Sequence, residues 1–372
     1  MQINFVVYKL SSLHSGLTIS LLEYSRVLMN MGHKVTVYAL TADNDTLKRF
    51  ETIGVELLYV KKGEFFLYNY RMVTYSRSFQ RMISTLIRRN YRPGKYIVYA
   101  DEAVMISYYK TPDPWMYICQ GDWSMLAIHS GFKRRHLVAS KFLAILVARL
   151  IAAKSGALEM YQILAANSKF TAQLSSFLYD IPITNIVYPP LRDSSRCSRL
   201  RTVKEKMKDG YALVVLRNSE ESGVDFISEL GKRFHIKVIG GAEIANCENL
   251  GFVRDEDISD LFSRALVTLS AANNEYFGRQ LAESLSYGTP VLAFETCGAI
   301  EIISNGYNGW LAKTREDFDS ILTNLFKDGY EYEIIETCKR SSERFSAEVV
   351  AKQILESFEF SAGELDRSDG RT

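Results

Sequence analysis

The sequence lacks the features that define several common classes of protein. Its five cysteines are odd in number, scattered and free of any close pair, which excludes a disulfide framework or a zinc site and is typical of a reducing compartment. These cysteines are Cys119, Cys197, Cys247, Cys297 and Cys338. No Gly-x-Ser-x-Gly element and no cysteine-histidine pair is present by pattern, so no protein nucleophile is apparent. The Gly-x-Gly-x-x-Gly fingerprint is missing as well, which leaves NAD binding without support.

Long apolar segments and an excess of one charge are also missing. The longest apolar run near the middle of the chain, residues 142–153, contains Arg149 and is well below the roughly 20 residues of a membrane-spanning helix. The N-terminal apolar segment meets Lys9 too early to be a signal peptide. We therefore expect a cytoplasmic protein, or one bound to the inner face of a membrane. A net charge of +2 gives no indication of nucleic acid, and none is expected as a partner.

Length and local pattern predict two α/β domains. A chain of 372 residues exceeds one ordinary core and fits two domains of about 100–200 residues each. Residues 3–8 and 34–40 have the pattern of strands, and a helical pattern over 18–31 lies between them, which is the start of a doubly wound parallel sheet. The segment 191–210 after Pro189-Pro190 is charged and poor in large apolar side chains, so we place the domain boundary there.

The most informative stretch is 269–294, which has the order strand, loop, helix, strand. An apolar run ends at polar residues, the chain passes Gly278, and Leu281 and Leu285 then lie four apart on a helical pattern. Gly278 lets a backbone come close to a ligand. The amides of Gly278, Arg279 and Gln280 are expected to be unpaired donors at the positive end of the helix dipole, which predicts a phosphate site.

Two acids flank this helix start. Glu275 precedes the helix and Glu283 lies about one and a half turns inside it, so both carboxylates can face one cleft from different depths. A carboxylate can accept two hydroxyls. The pair therefore fits a sugar and a ribose on either side of a diphosphate.

These residues carry a resemblance to a known family. Glu275 and Glu283 are separated by seven residues, Phe277-Gly278 follows the first acid and Gly288-Thr289-Pro290-Val291 follows the second. This pattern resembles the retaining GT-B glycosyltransferases of the family 4 type, also called glycosyl transferases group 1. The resemblance implies two Rossmann-like doubly wound domains facing across a cleft. It also implies that the first acid contacts the donor sugar, the amides after the glycine hold the diphosphate, and the second acid takes the ribose hydroxyls.

The resemblance further implies a domain layout. Residues 1–195 form an acceptor-binding domain and residues 205–345 a nucleotide-sugar-binding domain, while a C-terminal helix over 346–360 packs back on the first domain. The tail, residues 361–372, is rich in Asp, Ser and Gly, which predicts disorder.

One cation of the family's donor site is replaced in this chain. The family has an arginine and, five residues later, a lysine, and both reach the donor diphosphate. Arg217 matches the arginine, whereas Ser222 stands in the place of the lysine. Losing such a charge-assisted contact costs about 1.5–3 kcal/mol unless Arg279 or Lys237 supplies a substitute.

Glycines and polar residues at strand ends complete the candidate site. Gly240-Gly241 ends a predicted strand where a backbone can pass close to a base or ribose. On the acceptor side, relatives carry two glycines in the first loop, whereas only Gly16 is present here. Gln120 and Asp122 follow the predicted strand 115–119 at its carboxyl end, where open α/β sheets place their ligands.

The segment 130–161 is both basic and strongly apolar. Such a helix can lie in the headgroup layer of an anionic membrane, which makes a lipid-linked saccharide a candidate acceptor. The alternative is a helix whose apolar face packs on the sheet while its charges are solvated.

The function implied is retaining transfer of a hexose from a nucleotide-diphosphate sugar to a hydroxyl of a saccharide or lipid-linked saccharide, in polysaccharide biosynthesis. Glu275 and Arg217 are the candidate catalytic residues. No cofactor is expected, and no metal, because Asp43-Asn44-Asp45 lies in a predicted loop far from the donor motif. Ser222 and the single loop glycine leave open a non-catalytic subunit that binds a partner enzyme or a glycan. A GT-B sugar-nucleotide epimerase or a phosphorylase is also left open, as are the nucleotide base, the sugar and the acceptor.

Overall fold

The computed structural model describes residues 1–10, 15–60, 77–100, 111–121, 161–192, 199–216, 223–272 and 275–369. The chain divides into two compact units. Unit 1 comprises Met1–Pro189 with Val350–Thr372, and unit 2 comprises Pro190–Val349. The basic segment 130–161 lies outside the described residues up to position 160, so its two interpretations stay predictions.

Unit 1 is an α/β unit. In the described ranges its strands are β1 (Gln2–Leu10), β2 (Lys34–Ala42), β3 (Glu56–Tyr59), β4 (Lys95–Ala100), β5 (Trp115–Cys119), β6 (Ile163–Ala166) and β7 (Asn185–Ile186). The helices between them are α1 (Gly16–Asn30), α2 (Asn44–Thr52), α3 (Arg77–Arg89) and α4 (Lys169–Tyr179). The strands pair in the order β3-β2-β1-β4-β5-β6-β7, and every pair is parallel. All residues of β5 are buried, as in a sheet covered on both faces.

Unit 2 repeats this architecture. Its described strands are β8 (Ala212–Leu216), β9 (Ile236–Gly240), β10 (Glu248–Gly251), β11 (Val267–Ser270), β12 (Val291–Phe294) and β13 (Gly309–Ala312). Its described helices are α5 (Val203–Asp209), α6 (Val224–Leu230), α7 (Asp255–Arg264), α8 (Arg279–Ser286), α9 (Ala299–Ile302), α10 (Arg315–Asp328) and α11 (Tyr332–Ser342), followed by a 3₁₀ turn (Glu343–Phe345). The strands pair in the order β10-β9-β8-β11-β12-β13, and every pair is parallel.

Helices cover both faces of the second sheet. Successive strand residues point to opposite faces, so Val238 packs in one apolar cluster and Ile239 in the other. Phe226 of α6 and Phe318 of α10 belong to the first cluster, and Phe262 of α7 belongs to the second. Two doubly wound parallel sheets confirm the predicted α/β fold class.

The last helix, α12 (Ala347–Asp369), begins at the end of unit 2 and belongs to unit 1 from Val350 onward. The disorder predicted for 361–372 is wrong over 361–369, where the backbone is helical. Extending an existing helix adds one hydrogen bond per residue without a new nucleation cost, so a polar composition does not by itself end it. Residues 370–372 lie outside the described residues. Within the part of the chain that is described, no helix is long and apolar enough to cross a membrane.

The turn after α8 is fixed by a buried polar network. Gly288 has a φ of 70°, and a Cβ there would lie 2.7 Å from Leu200 Cδ2, so the position requires glycine. The Oγ of Ser284 lies 2.7 Å from Thr268 Oγ1 and 2.8 Å from the carbonyl oxygen of Thr289. These contacts join α8 to β11 and to the turn that leads into β12.

A fully buried lysine completes this network. Lys206 of α5 donates from Nζ to the carbonyl oxygens of Ser263 at 2.6 Å and Ala265 at 3.2 Å. It also donates to Thr289 Oγ1 at 2.5 Å. An ammonium has three donors, and these three oxygens take all of them. Lys206 therefore connects α5, the end of α7 and the turn after α8.

Replacement of Lys206 is expected to destabilise the protein. Lys206→Met keeps the apolar stem but leaves buried oxygens without a donor, for a loss of about 2–5 kcal/mol. Urea unfolding of the full chain, followed by circular dichroism, measures the change in midpoint. Lys204→Met on the exposed side of the same helix is the matched control. Equal midpoints for the two variants would contradict the structural role given to Lys206.

Candidate functional site

The candidate site lies where the strand order of unit 2 reverses. The chain passes from β8 to β9 and β10 on one side and to β11 on the other, which makes the carboxyl ends of β8 and β11 the switch point of the sheet. A small pocket opens there. It is lined by the ends of these two strands together with Gly223, Glu275 and Gln280. Open α/β sheets bind their ligands at this position.

The start of α8 presents free backbone donors at this edge. Gly278 precedes the helix with a φ of 81° and no side chain caps it. The amides of Leu281 and Ala282 both return to the carbonyl of Gly278, at 2.9 and 3.3 Å. Among the described residues, no backbone carbonyl outside the helix accepts a hydrogen bond from the amides of Gly278 or Gln280. The helix start therefore has the donors and the dipole that favour an anion.

Gly278 is required by its surroundings as well as by its φ. A Cβ at this position would lie 2.9 Å from Leu281 Cδ1 and 3.1 Å from Glu275 Cγ. Both contacts are tighter than ordinary van der Waals packing, so any side chain would displace the side chain of Leu281 or of Glu275. The glycine predicted from the motif thus keeps Glu275 close to the helix start.

Glu275 is held in place by two neighbours. Gln280 Nε2 donates to Glu275 Oε2 at 2.8 Å, and the amide of Gly298 donates to the Glu275 carbonyl at 2.8 Å. The sequence assigned Gln280 a role through its backbone amide alone. Its side chain also orients the acid, a contact across the helix start that the helical pattern does not indicate.

The loop 295–298 packs against Glu275. A Cβ on Gly298 would lie 2.6 Å from the Tyr276 carbonyl oxygen, which shows how close the two segments come. Cys297 adopts a left-handed conformation with a φ of 46°. Burial raises the pKa of the Cys297 thiol, and the negative charge of Glu275 raises it further. The thiol therefore reports the charge of the first acid.

Glu283 is more enclosed than the sequence suggested. Its side chain is only 5% exposed. Arg192 Nη1 lies 2.9 Å from each of its two carboxylate oxygens, and Arg279 Nη1 lies 3.1 Å from Oε1. Two guanidinium groups already bind its carboxylate, and the predicted contact of Glu283 with the ribose stays a prediction. Arg192 was not predicted as a site residue, because it lies 91 residues before its partner, in the segment predicted to be the domain boundary.

Neither predicted substitute for the family lysine has a free position at the start of α8. Lys237 is the second residue of β9, at the amino end of the sheet, where its Nζ lies 3.7 Å from Glu248 and 4.5 Å from the centre of the Tyr211 ring. The guanidinium of Arg279 lies against Glu283. Arg217 and Ser222 lie outside the described residues.

The remaining predicted residues have local structural explanations. Gly240 has a φ of 113°, and a Cβ there would lie 1.9 Å from the Leu216 carbonyl oxygen, so β8 itself requires the glycine. Gly241 follows it and is exposed. Asp43 Oδ1 accepts from the Thr46 amide at 2.8 Å, so this acid caps α2, and Asn44 and Asp45 form the first turn of that helix instead of the predicted loop.

On the acceptor side, Gly16 is the first residue of α1 and Gln120 directly follows β5. The Gln120 carbonyl accepts from Asn167 Nδ2 at 2.9 Å, which joins the carboxyl ends of β5 and β6. Asp122 lies outside the described residues.

Comparison with solved structures places the fold. HepE of Anabaena, crystallised with UDP and glucose, matches with a TM-score of 0.71 and 14% sequence identity over 96% of this chain and 99% of that chain. Sucrose-phosphate synthase of Thermosynechococcus elongatus matches with a TM-score of 0.72 and 12% identity over 96% of this chain and 99% of that chain. The protein has the GT-B fold, as predicted.

Sequence comparison matches the second part of the chain to a family. Residues 202–344 match the family model of the glycosyl transferases group 1, which covers most of unit 2. A probable sucrose-phosphate synthase of Thermosipho melanesiensis is 26% identical over 195 residues, which are 46% of this chain and 44% of that relative. This chain therefore covers less than half of that relative's length. The match over 202–344 supports the resemblance to the glycosyl transferases group 1 that the motif predicts, while the retaining mechanism stays a prediction.

Removal of the charge at Glu275 is expected to make Cys297 more reactive. Glu275→Gln removes one of the two causes that raise the thiol pKa, so more thiolate is present at a given pH and alkylation is faster. Iodoacetamide labelling across a pH series, with the Cys297 peptide quantified by mass spectrometry, measures the shift. Glu295→Gln, two residues before the thiol and absent from the causes of the shift, is the control. An unchanged pH profile in Glu275→Gln would place the acid away from the thiol.

Proposed function

We propose that the protein is a retaining glycosyltransferase that moves a sugar from a nucleotide-diphosphate sugar to a hydroxyl of a saccharide or lipid-linked saccharide. The observation that carries this proposal is the start of α8. Free amides at Gly278 and Gln280, at the switch point of a parallel sheet, lie beside Glu275, and Gln280 itself orients that acid. HepE, which has the same fold, was crystallised with UDP and glucose, and this supports a nucleotide-sugar as the donor.

In this proposal the donor diphosphate occupies the start of α8. The amides and the helix dipole stabilise the negative charge that grows on the diphosphate as the sugar leaves, and Arg217 adds a cation. Such preorganised donors act most strongly where negative charge develops in the transition state. Glu275 accepts hydrogen bonds from the sugar hydroxyls and holds the ring in place, because Gln280 occupies only part of its carboxylate.

The proposed chemistry needs no protein nucleophile. The acceptor oxygen attacks the anomeric carbon from the face that the nucleotide leaves, so the new glycosidic bond forms where the bond to phosphate breaks. The acceptor proton passes to the departing phosphate oxygen. The bonding electrons of the broken bond remain on the nucleoside diphosphate, and the configuration at the anomeric carbon is retained.

Glu283 is assigned to the ribose of the nucleotide, and the acceptor side to Gly16, Gln120 and Asp122. Attachment to an anionic membrane through 130–161, from the cytoplasmic side, is part of the same proposal and would bring a lipid-linked acceptor within reach. Co-sedimentation with anionic liposomes, weakened by salt, tests that attachment separately from the chemistry.

The enzyme is expected to hydrolyse its donor slowly when no acceptor is present. Incubation with UDP-, GDP- and ADP-sugars, followed by assay of the free nucleoside diphosphate, identifies the donor. Glu275→Ala removes a charged hydrogen-bond acceptor from the sugar, so the kcat/KM is expected to fall by about 10- to 150-fold, while binding of the nucleoside diphosphate alone is kept.

Glu295→Ala is the matched control. Glu295 is an exposed acid at the same edge of the sheet, later in the chain than Glu275, and the proposal gives it no contact with the donor. If no nucleotide-sugar is hydrolysed or raises the melting temperature of the full chain, the transferase proposal fails. Binding without hydrolysis or transfer indicates instead the non-catalytic subunit, and conversion of one nucleotide-sugar to another indicates the epimerase.

A further inference from the structure

Arg192 reaches the second acid of the site from a distant part of the chain. It is the third residue of unit 2 and directly follows Pro189-Pro190-Leu191. A single nitrogen, Nη1, makes both contacts with Glu283, at 2.9 Å to each carboxylate oxygen. The two side chains are 14% and 5% exposed, so the ion pair is largely shielded from water.

The contacts of Glu283 leave little of its carboxylate open. A carboxylate has about four acceptor positions, two on each oxygen. Oε1 accepts a hydrogen bond from Arg192 and also lies 3.1 Å from Arg279 Nη1, an ion pair without a hydrogen bond. Among the described residues, Oε2 is contacted by Arg192 and by no second guanidinium group, so Oε2 is the more open of the two oxygens. The arginines fix the direction from which a further hydroxyl can approach.

The burial of Glu283 explains why a single arginine on the same helix does not suffice to hold its carboxylate in place. A buried carboxylate needs a close and well-aligned cation to offset its lost hydration. Arg279 touches only one oxygen, at 3.1 Å, and as an i,i+4 neighbour it leaves the carboxylate free to rotate about its last bond. Arg192 contacts both oxygens from another segment and removes that freedom.

We propose that Arg192 is a positioning residue for nucleotide recognition. It holds the carboxylate of Glu283 in the one orientation that presents Oε2 to a ribose hydroxyl, and it thereby sets the preference of the site for a nucleotide with an intact ribose diol. This inference rests on the proposed function, since that proposal assigns Glu283 to the ribose. The residue acts through Glu283 and does not itself contact the nucleotide.

The nature of the contact predicts how substitutions behave. Because one nitrogen makes both hydrogen bonds, a lysine ammonium keeps the charge and carries the donors that they need, whereas a glutamine amide supplies no charge. Arg192→Lys is therefore expected to keep the ribose preference and Arg192→Gln to lose it. Arg199→Gln is the matched control, because Arg199 lies on the same connecting segment, is exposed and pairs with Glu205.

The experiment compares nucleotides with and without the diol. Dissociation constants of UDP, GDP and ADP and of their 2′,3′-dideoxy forms are measured by calorimetry on the full-length chain and each variant, with the melting temperature recorded for each. For the nucleotide that binds, the wild-type protein is expected to prefer the ribose form by about tenfold. Arg192→Gln is expected to reduce this ratio to about one to two, while Arg192→Lys and Arg199→Gln keep it.

A double-mutant cycle shows whether Arg192 acts through Glu283. Glu283→Gln alone is expected to abolish the ribose preference, and adding Arg192→Gln is expected to change the ratio no further. If Glu283→Gln alone keeps part of the preference and the double variant loses that part, Arg192 contributes independently of the acid, which would overturn the proposal.

The remaining outcomes are also decisive. If Arg192→Gln keeps the wild-type ratio, or weakens both forms of the nucleotide equally, Arg192 serves stability alone and the inference is wrong. Should Arg192→Gln fail to fold, a loss of the ratio in the charge-retaining Arg192→Lys would overturn it equally. If the wild-type protein binds a nucleotide without any ribose preference, this inference fails while the donor site stands. If it binds none of the three, the proposed function fails with it.

Discussion

The positive end of helix α8 is the physical feature on which the candidate site depends. A helix start carries amides that its own chain cannot satisfy, and at most helix starts a side-chain cap satisfies them. Here the position before the helix is a glycine, which has no side chain to offer. The donors therefore face the sheet edge where strand order reverses. The rest of unit 2 holds this helix in place, since Lys206, Thr289 and Ser284 fix its far end in a buried network.

The two acids of the motif have opposite surroundings, and this separates their roles. Glu275 lies in a loop with one neutral amide as its side-chain partner, so much of its carboxylate is available to hydroxyls of a ligand. Glu283 lies inside the helix, enclosed and neutralised by two arginines. The first environment suits an acid that must adapt to a changing sugar during reaction. The second suits an acid that recognises one fixed hydroxyl, since a charge with little freedom discriminates best.

Sequence reasoning succeeded where the signal was local. The strand β5 (Trp115–Cys119) has the predicted bounds, because apolar periodicity depends only on neighbouring positions. The order of elements around Gly278 was predicted for the same reason. Contacts between distant positions left no such signal: nothing near Arg192 indicates a partner 91 residues away. Gly240 was predicted to let a ligand pass close to the backbone. The tertiary structure shows instead that the carbonyl of a neighbouring strand leaves no room for a side chain there.

The two arginines that enclose Glu283 also bear on the family lysine that this chain replaces by a serine. Arg279, Arg192 and Glu283 together carry a net charge of +1, and Arg279 is the first residue of α8. Positive charge beside a helix start acts in the same direction as the helix dipole and favours an anion there. Under the proposed function, a diphosphate at this helix start would therefore keep electrostatic support with Ser222 in the predicted place of the lysine, because the ion-paired cluster supplies a field even though neither arginine needs to touch the ligand. In a site that is shielded from water, the electrostatic field of a charge decreases slowly with distance, whereas a direct contact requires the two groups to be aligned. A donor site can thus lose one direct cation and keep much of its attraction for a diphosphate.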